Sequence, residues 1–201
     1  MPIQEVAAPV EEAAKVLGTL RSMITAGQVG TPALSKATPA SLSIVLSTPV
    51  AFLPLDSIEN EFDLSRSAKP EGWRFYVSAD RKNSIATVRT TSIDFQIKEI
   101  SEGPAVTAVT LGLDSASHHS LVQMPTLGLW QLVVPSLYVM ALWLRTDAEG
   151  KSLLVPLHPT ARDFPIDVVP EALFAKHLIK LAEASKNESW SAEIERKPTA
   201  Y

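Results

Sequence analysis

Residues 127–157 read LGLWQLVVPSLYVMALWLRTDAEGKSLLVPL, the longest apolar run of the chain. Two readings compete for it. Residues 127–144 would suffice for a membrane-spanning helix, with Gln131 and Ser136 plainly polar and Trp130 and Trp143 near the ends. Against a helix stand Pro135 in the middle and the strand formers Val133, Val134, Tyr138 and Val139 around it. The segment therefore reads as strands over 129–134 and 137–145, separate or as one strand bent at Pro135. A turn at Asp147-Ala148-Glu149-Gly150 returns the chain to a strand over 152–157. Residues 137–145 are apolar on both faces, which places them inside a sheet covered on both sides, or on one side and by a partner.

Downstream, Pro170 and Glu171 open a helix over 170–185 that buries Leu173, Phe174, His177 or Leu178, and Leu181. Residues 186–201 form a polar tail with Trp190 as its large apolar group. Upstream, Ser101 caps a helix with Pro104 in its first turn and Val106, Val109 and Leu113 at helical spacing. Its β-branched content leaves a strand over 105–113 as the alternative. Residues 73–78, WRFYVS, place Trp73, Phe75 and Val77 on one face and Arg74, Tyr76 and Ser78 on the other. A turn at 80–83 pairs them with a strand over 84–89, and a further strand covers 93–100. Two β-prone stretches, 42–46 and 50–55, are confined to edges or bends by Pro49 and Pro54. The acidic stretch holding Asp56, Glu59, Glu61 and Asp63 lacks the spacing of a calcium loop and reads as solvated.

The chain begins with an amphipathic helix over 9–26. Pro9 suits its start, Glu11 and Glu12 favour its first turn, and Val10, Ala13, Leu17, Leu20 and Ile24 form one stripe. Residues 27–41, GQVGTPALSKATPAS, have linker composition and would reach ~20 Å as a flexible coil. The expected organisation is an N-terminal helix (1–26), a linker (27–41), one α+β domain (42–185) and a tail (186–201). The sheet is expected to be mainly antiparallel, with one mid-chain and one C-terminal helix.

Composition excludes more than it identifies. The chain has 201 residues, 46% hydrophobic and 20% charged, with net charge −4 and no clustered Lys and Arg. A nucleic-acid partner is therefore not expected. Cysteine is absent, so thiolate chemistry is excluded, and a reducing, cytoplasmic setting fits. The first residues, MPIQEVAAPVEEAAK, do not resemble a secretory signal or a transit peptide. No dinucleotide, P-loop, zinc-protease or thiol-redox motif occurs, and eight glycines form no phosphate-cradling loop. No cofactor is expected.

His118 and His119 are adjacent and point apart in either regular conformation, so a shared metal is not expected even with Asp114 one helical turn away. His177 reads as a packing residue of the final helix. His158, Arg162 and Asp163 follow a buried strand and are the candidate catalytic or ligand-binding cluster, although no nucleophile accompanies them. The motifs VPSLYVMALWLR, LLVPL, EGP and GWRFYV, within residues 50–183, resemble a set of short bacterial proteins without an assigned activity. That resemblance implies no catalytic residue.

Two functions are expected in order. The first is a non-catalytic protein that self-associates or docks on a protein partner through Val10, Leu17, Leu20 and Ile24 and its apolar strands. The second is a small enzyme or ligand-binding protein with a pocket near 158–163.

Overall fold

The computed structural model describes residues 3–79, 85–91, 96–122, 127–146, 151–157, 164–165 and 167–195. The decisive segment is strand, not helix: β6 (Leu127–Val134) and β7 (Val139–Arg145) are antiparallel neighbours around Pro135–Leu137. Among the described residues, no helix is long and apolar enough to cross a membrane. The remaining strands are β1 (Ile3–Glu5), β2 (Leu42–Phe52), β3 (Lys69–Ala79), β4 (Ile85–Thr90), β5 (Ile97–Ser101), β8 (Leu153–Pro156) and β9 (Val169–Pro170). All lie in one sheet of order β5-β4-β3-β2-β6-β7-β8-β9, with β1 also on β6. The helices are α1 (Val10–Thr25), α2 (Pro32–Ser35), α3 (Leu64–Ser67), α4 (Pro104–His118) and α5 (Glu171–Glu195). The fold is α+β, and the pairing is antiparallel except where β6 meets β1 and β2.

One edge of β6 is shared. Its first half pairs in parallel with β1, Ile3 to Glu5 against Leu127 to Leu129, and its second half with β2, Val50 to Phe52 against Gln131 to Val133. Glu5 bridges the fork: its Oε1 accepts from the Ser47 amide (2.8 Å) and hydroxyl (2.9 Å). This explains Pro49, which was expected to confine its stretch to an edge. Instead β2 is one eleven-residue interior strand, and Pro49 sits one residue before pairing with β6 begins. The missing N–H falls where that edge has no ladder with β6 to interrupt.

The register sorts the side chains onto two faces. Trp143, Leu132, Ala141 and Leu154 lie under α5 with Phe174, Leu178 and Ala182. Phe75, Val77 and Val88 lie on the same face under α1 with Val16 and Leu20. The opposite face carries Tyr76, Leu129, Leu142, Leu144 and Val155, packed on Val106, Val109 and Ala116 of α4. Thus β7, greasy on both sides, has a helix over each of them. Gly112 permits the approach of α4: a Cβ there would stand 3.0 Å from Leu157 and 3.2 Å from Leu142.

Several sequence boundaries change. Residues 27–41 are no free tether: they hold α2 and the short turn Pro39–Ser41, and Leu34 is fully buried with Val29 and Ala37 close to it. Their apolar residues are too few to show periodicity but enough to seal the sheet beside α1. Gly103, with φ of 101°, caps α4 in place of Ser101, which ends β5. The expected tail at 186 continues as helix to Glu195, since KNESWSAEIE contains neither Pro nor Gly to stop it. Leu173 is exposed, because the buried stripe of α5 runs through Phe174, Leu178 and Ala182.

The stripe of α1 is also rotated, and Glu12 is fully buried while Val10 is exposed. Thr90 donates its hydroxyl to Glu12 Oε1, and Oε2 has no partner among the described residues. Burial raises the Glu12 pKa above its ordinary value, although the Thr90 hydrogen bond and Lys15 pull it down. The folded state therefore holds this proton more tightly than the unfolded chain. The associated stability is present below the ordinary carboxylate range and lost as pH rises through the raised value. Glu12→Gln, which keeps an acceptor for Thr90, is expected to leave Tm nearly unchanged at about pH 4 and raise it at about pH 8. Thermal melts at both pH values check this, and an equal rise at both would mean Glu12 is charged throughout.

Candidate functional site

Strand β3 carries the first component. A register shift between Val50 and Ala51 leaves Glu71 as an extra residue opposite β2, so the strand kinks at Glu71 and Gly72. Gly72 has φ of 134°, and a Cβ on it would lie 2.2 Å from the Thr90 carbonyl oxygen, so only glycine fits this close approach. A second shift, between Arg89 and Thr90, adds Lys98 to β5. The pleat also puts Thr48, Arg74, Arg89 and Glu99 side by side on the α4 face, because Arg74 pairs with both Thr48 and Arg89, and Arg89 with Glu99.

Arg74, Arg89 and Glu99 line a cavity of about 400 Å³. Its charged part is Glu71, Arg74, Arg89, Glu99 and Glu102, and its apolar wall is Phe52, Val133, Pro135 and Met140. The volume lies in the range of small-molecule sites. Unusual backbone gathers around it. Of the four described residues with positive φ, three stand beside it, Gly27 being the exception: Gly72 adjoins Glu71, Gly103 adjoins Glu102, and Tyr138 (φ 52°) lies between Pro135 and Met140. A left-handed tyrosine costs about 1–2 kcal/mol, and strain of this kind concentrates at functional sites.

The two arginines have different surroundings. Arg89 has two ion-pair partners, its Nη1 3.2 Å from Glu71 Oε2 and its Nε 3.4 Å from Glu99 Oε2, although that Nε, like the Nε of Arg74, makes no hydrogen bond among the described residues. Arg74 is only 6% exposed, and among the described residues no carboxylate forms an ion pair with it and its Nε has no hydrogen-bond acceptor. Its charge is felt nearby: burial pushes the Tyr76 phenol up to about 12, and Arg74 opposes that rise. Tyr76 in turn donates to Gln131 Oε1 at 3.4 Å, and the Gln131 amide reaches Met140 Sδ at 3.8 Å. Glu102 is held at the rim by the Ala33 amide, 2.7 Å away at the start of α2. The former linker thus fixes one wall of the site.

His158, Arg162 and Asp163 lie outside the described residues. Of the residues expected to dock on a partner, Leu20 is fully buried against the chain's own sheet, Leu17 and Ile24 pack beside it, and Val10 is 84% exposed. His118 is exposed on the last turn of α4 near Asp114, whereas His119 faces away and reaches Asp167 at 3.3 Å, so the pair is indeed split. Sequence reasoning missed Arg74 and Arg89. Their signal was present: pairing 73–78 with 84–89 sets the two arginines on one face of a hairpin, an unfavourable arrangement that needs a reason. No protein-family model, curated protein or solved structure matches the chain.

A buried charge without a partner destabilises a fold. Arg74→Met, similar in length and apolar, is therefore expected to stabilise the ligand-free protein by about 1–2 kcal/mol, a rise of roughly 2–8 °C in Tm. Differential scanning calorimetry measures it. A fall in Tm would mean that the guanidinium is engaged by the fold itself.

Proposed function

We propose that this chain is a small-molecule binding protein whose ligand occupies the cavity on the α4 face of the sheet. The observation that supports this most is Arg74, a buried charge lining a cavity and left without an ion-pair partner among the described residues. A fold tolerates such a group at a cost in stability when a ligand supplies what is missing. The divided lining, charged on β3 to β5 and apolar on β2, β6 and β7, suits a molecule with a polar head and an apolar body. The sequence features that favoured partner docking have uses inside the chain. Helix α1 covers its own sheet, and β7 is covered by α5 on one face and α4 on the other.

The test is a thermal-shift screen of small metabolites on the full chain and on Met140→Trp, which fills the cavity from its apolar wall. At least one compound is expected to raise the Tm of the native chain, with the shift lost in Met140→Trp. Compounds that stabilise both proteins equally bind elsewhere and would overturn this site.

A further inference from the structure

The charge pattern of the cavity narrows its ligand, on the reading that the cavity is a binding site. We infer that it takes a compact organic monoanion: a single carboxylate on an apolar body, with the carboxylate against the Arg74 guanidinium.

Three features lead there. Arg89 already has two carboxylates within ion-pair distance, Glu71 and Glu99, so it has no call for a third anion. Arg74 stands directly opposite Arg89 across β3 and β4 and lacks a carboxylate of its own among the described residues. The charge of Arg89 is met by its own two carboxylates, so an anion beside Arg74 would relieve the burial of the second guanidinium. A guanidinium offers a planar fork that matches a carboxylate in two parallel hydrogen bonds. The Nε of Arg74, buried without an acceptor among the described residues, is one tine of that fork.

The limit to one negative charge comes from the rim. Glu71, Glu99 and Glu102 line the same cavity. With three carboxylates to two guanidinium groups the lining is already net negative, so an anion is admitted only in direct contact with Arg74, and the second charge of a dianion or a polyphosphate would have no cation left to meet it. Glu102 already caps the start of α2, through the Ala33 amide. Phe52, Val133, Pro135 and Met140 then supply an apolar surface that inorganic ions cannot use and a hydrocarbon body can.

Isothermal titration calorimetry on the full chain tests this with hexanoate, hexanamide, hexylamine and inorganic phosphate as probes. Hexanoate is expected to bind at least tenfold more tightly than hexanamide and than phosphate. Arg74→Met should abolish that preference, and Arg74→Lys should retain part of it. Because Arg74→Met is expected to be the more stable protein without ligand, a loss of binding cannot be assigned to misfolding; its Tm is read alongside. Equal binding of hexanoate and hexanamide, both lost in Met140→Trp, would overturn the monoanion inference while leaving the cavity as a binding site. Preference for hexylamine or phosphate would overturn it too. If none of the four probes binds while a compound from the metabolite screen does so in a Met140-dependent manner, the monoanion inference falls and the binding site stands. If no compound of either set binds, both fall.

Discussion

Strand β6 is the constraint on which the rest of the fold depends. One of its edges pairs with β7 from Gly128 to Val134, and the other is divided between β1 and β2. The division forces β2 to diverge from β6 before Val50, and residues from β1 onward fill the gap, with Glu5 satisfying Ser47. Buried backbone groups must find partners, so a strand shared in this way ties the N-terminus, the first meander and the second meander into one sheet. The three helices that cover the sheet follow from it. Both faces of the central strands are apolar, and α1 with α5 on one side and α4 on the other remove them from water.

The same irregularity shapes the candidate site. Two extra residues, Glu71 in β3 and Lys98 in β5, break the ladders next to the place where β2 joins β6. Bulges re-aim side chains, and here they leave a charged cavity beside an apolar wall instead of a closed core. Stability is lowered in that corner by a left-handed tyrosine, a glycine pressed on a carbonyl, and a buried guanidinium without an ion-pair partner among the described residues. Local conflicts of this sort, in a fold that is otherwise consistent, are expected at functional sites.

Much of the architecture was legible because periodicity reports burial. The alternation of Trp73, Phe75 and Val77 gave β3 its inner face, and the doubly apolar 137–145 stretch gave β7 its place between two layers. Proline misled where tertiary context supplied an exception: Pro49 lies inside an interior strand because its neighbour has not yet joined. The packed segment 27–41 was hidden because Val29, Leu34 and Ala37 are buried singly rather than on a stripe. Helix α1 was recognised, but its buried stripe includes Glu12, whose partner Thr90 is 78 residues away. The candidate site was harder still. Its residues come from β2 to β7, and only the cross-strand register brings Arg74, Arg89 and Glu99 together. The sequence drew attention to His158, Arg162 and Asp163 instead, since adjacent polar residues are visible without a fold and converging ones are not.

The sharing of β6 is most directly tested by backbone nuclear Overhauser effects in the isotope-labelled chain. Contacts of Leu127 to Leu129 with Ile3 to Glu5, and of Gln131 to Val133 with Val50 to Phe52, are expected together in one species. The Leu53 amide, bonded to the Val133 carbonyl at 3.0 Å, should be strongly protected from hydrogen exchange. Sequential amide contacts of helical type running unbroken through 127–144, or β6 contacts to β1 without those to β2, would contradict this arrangement.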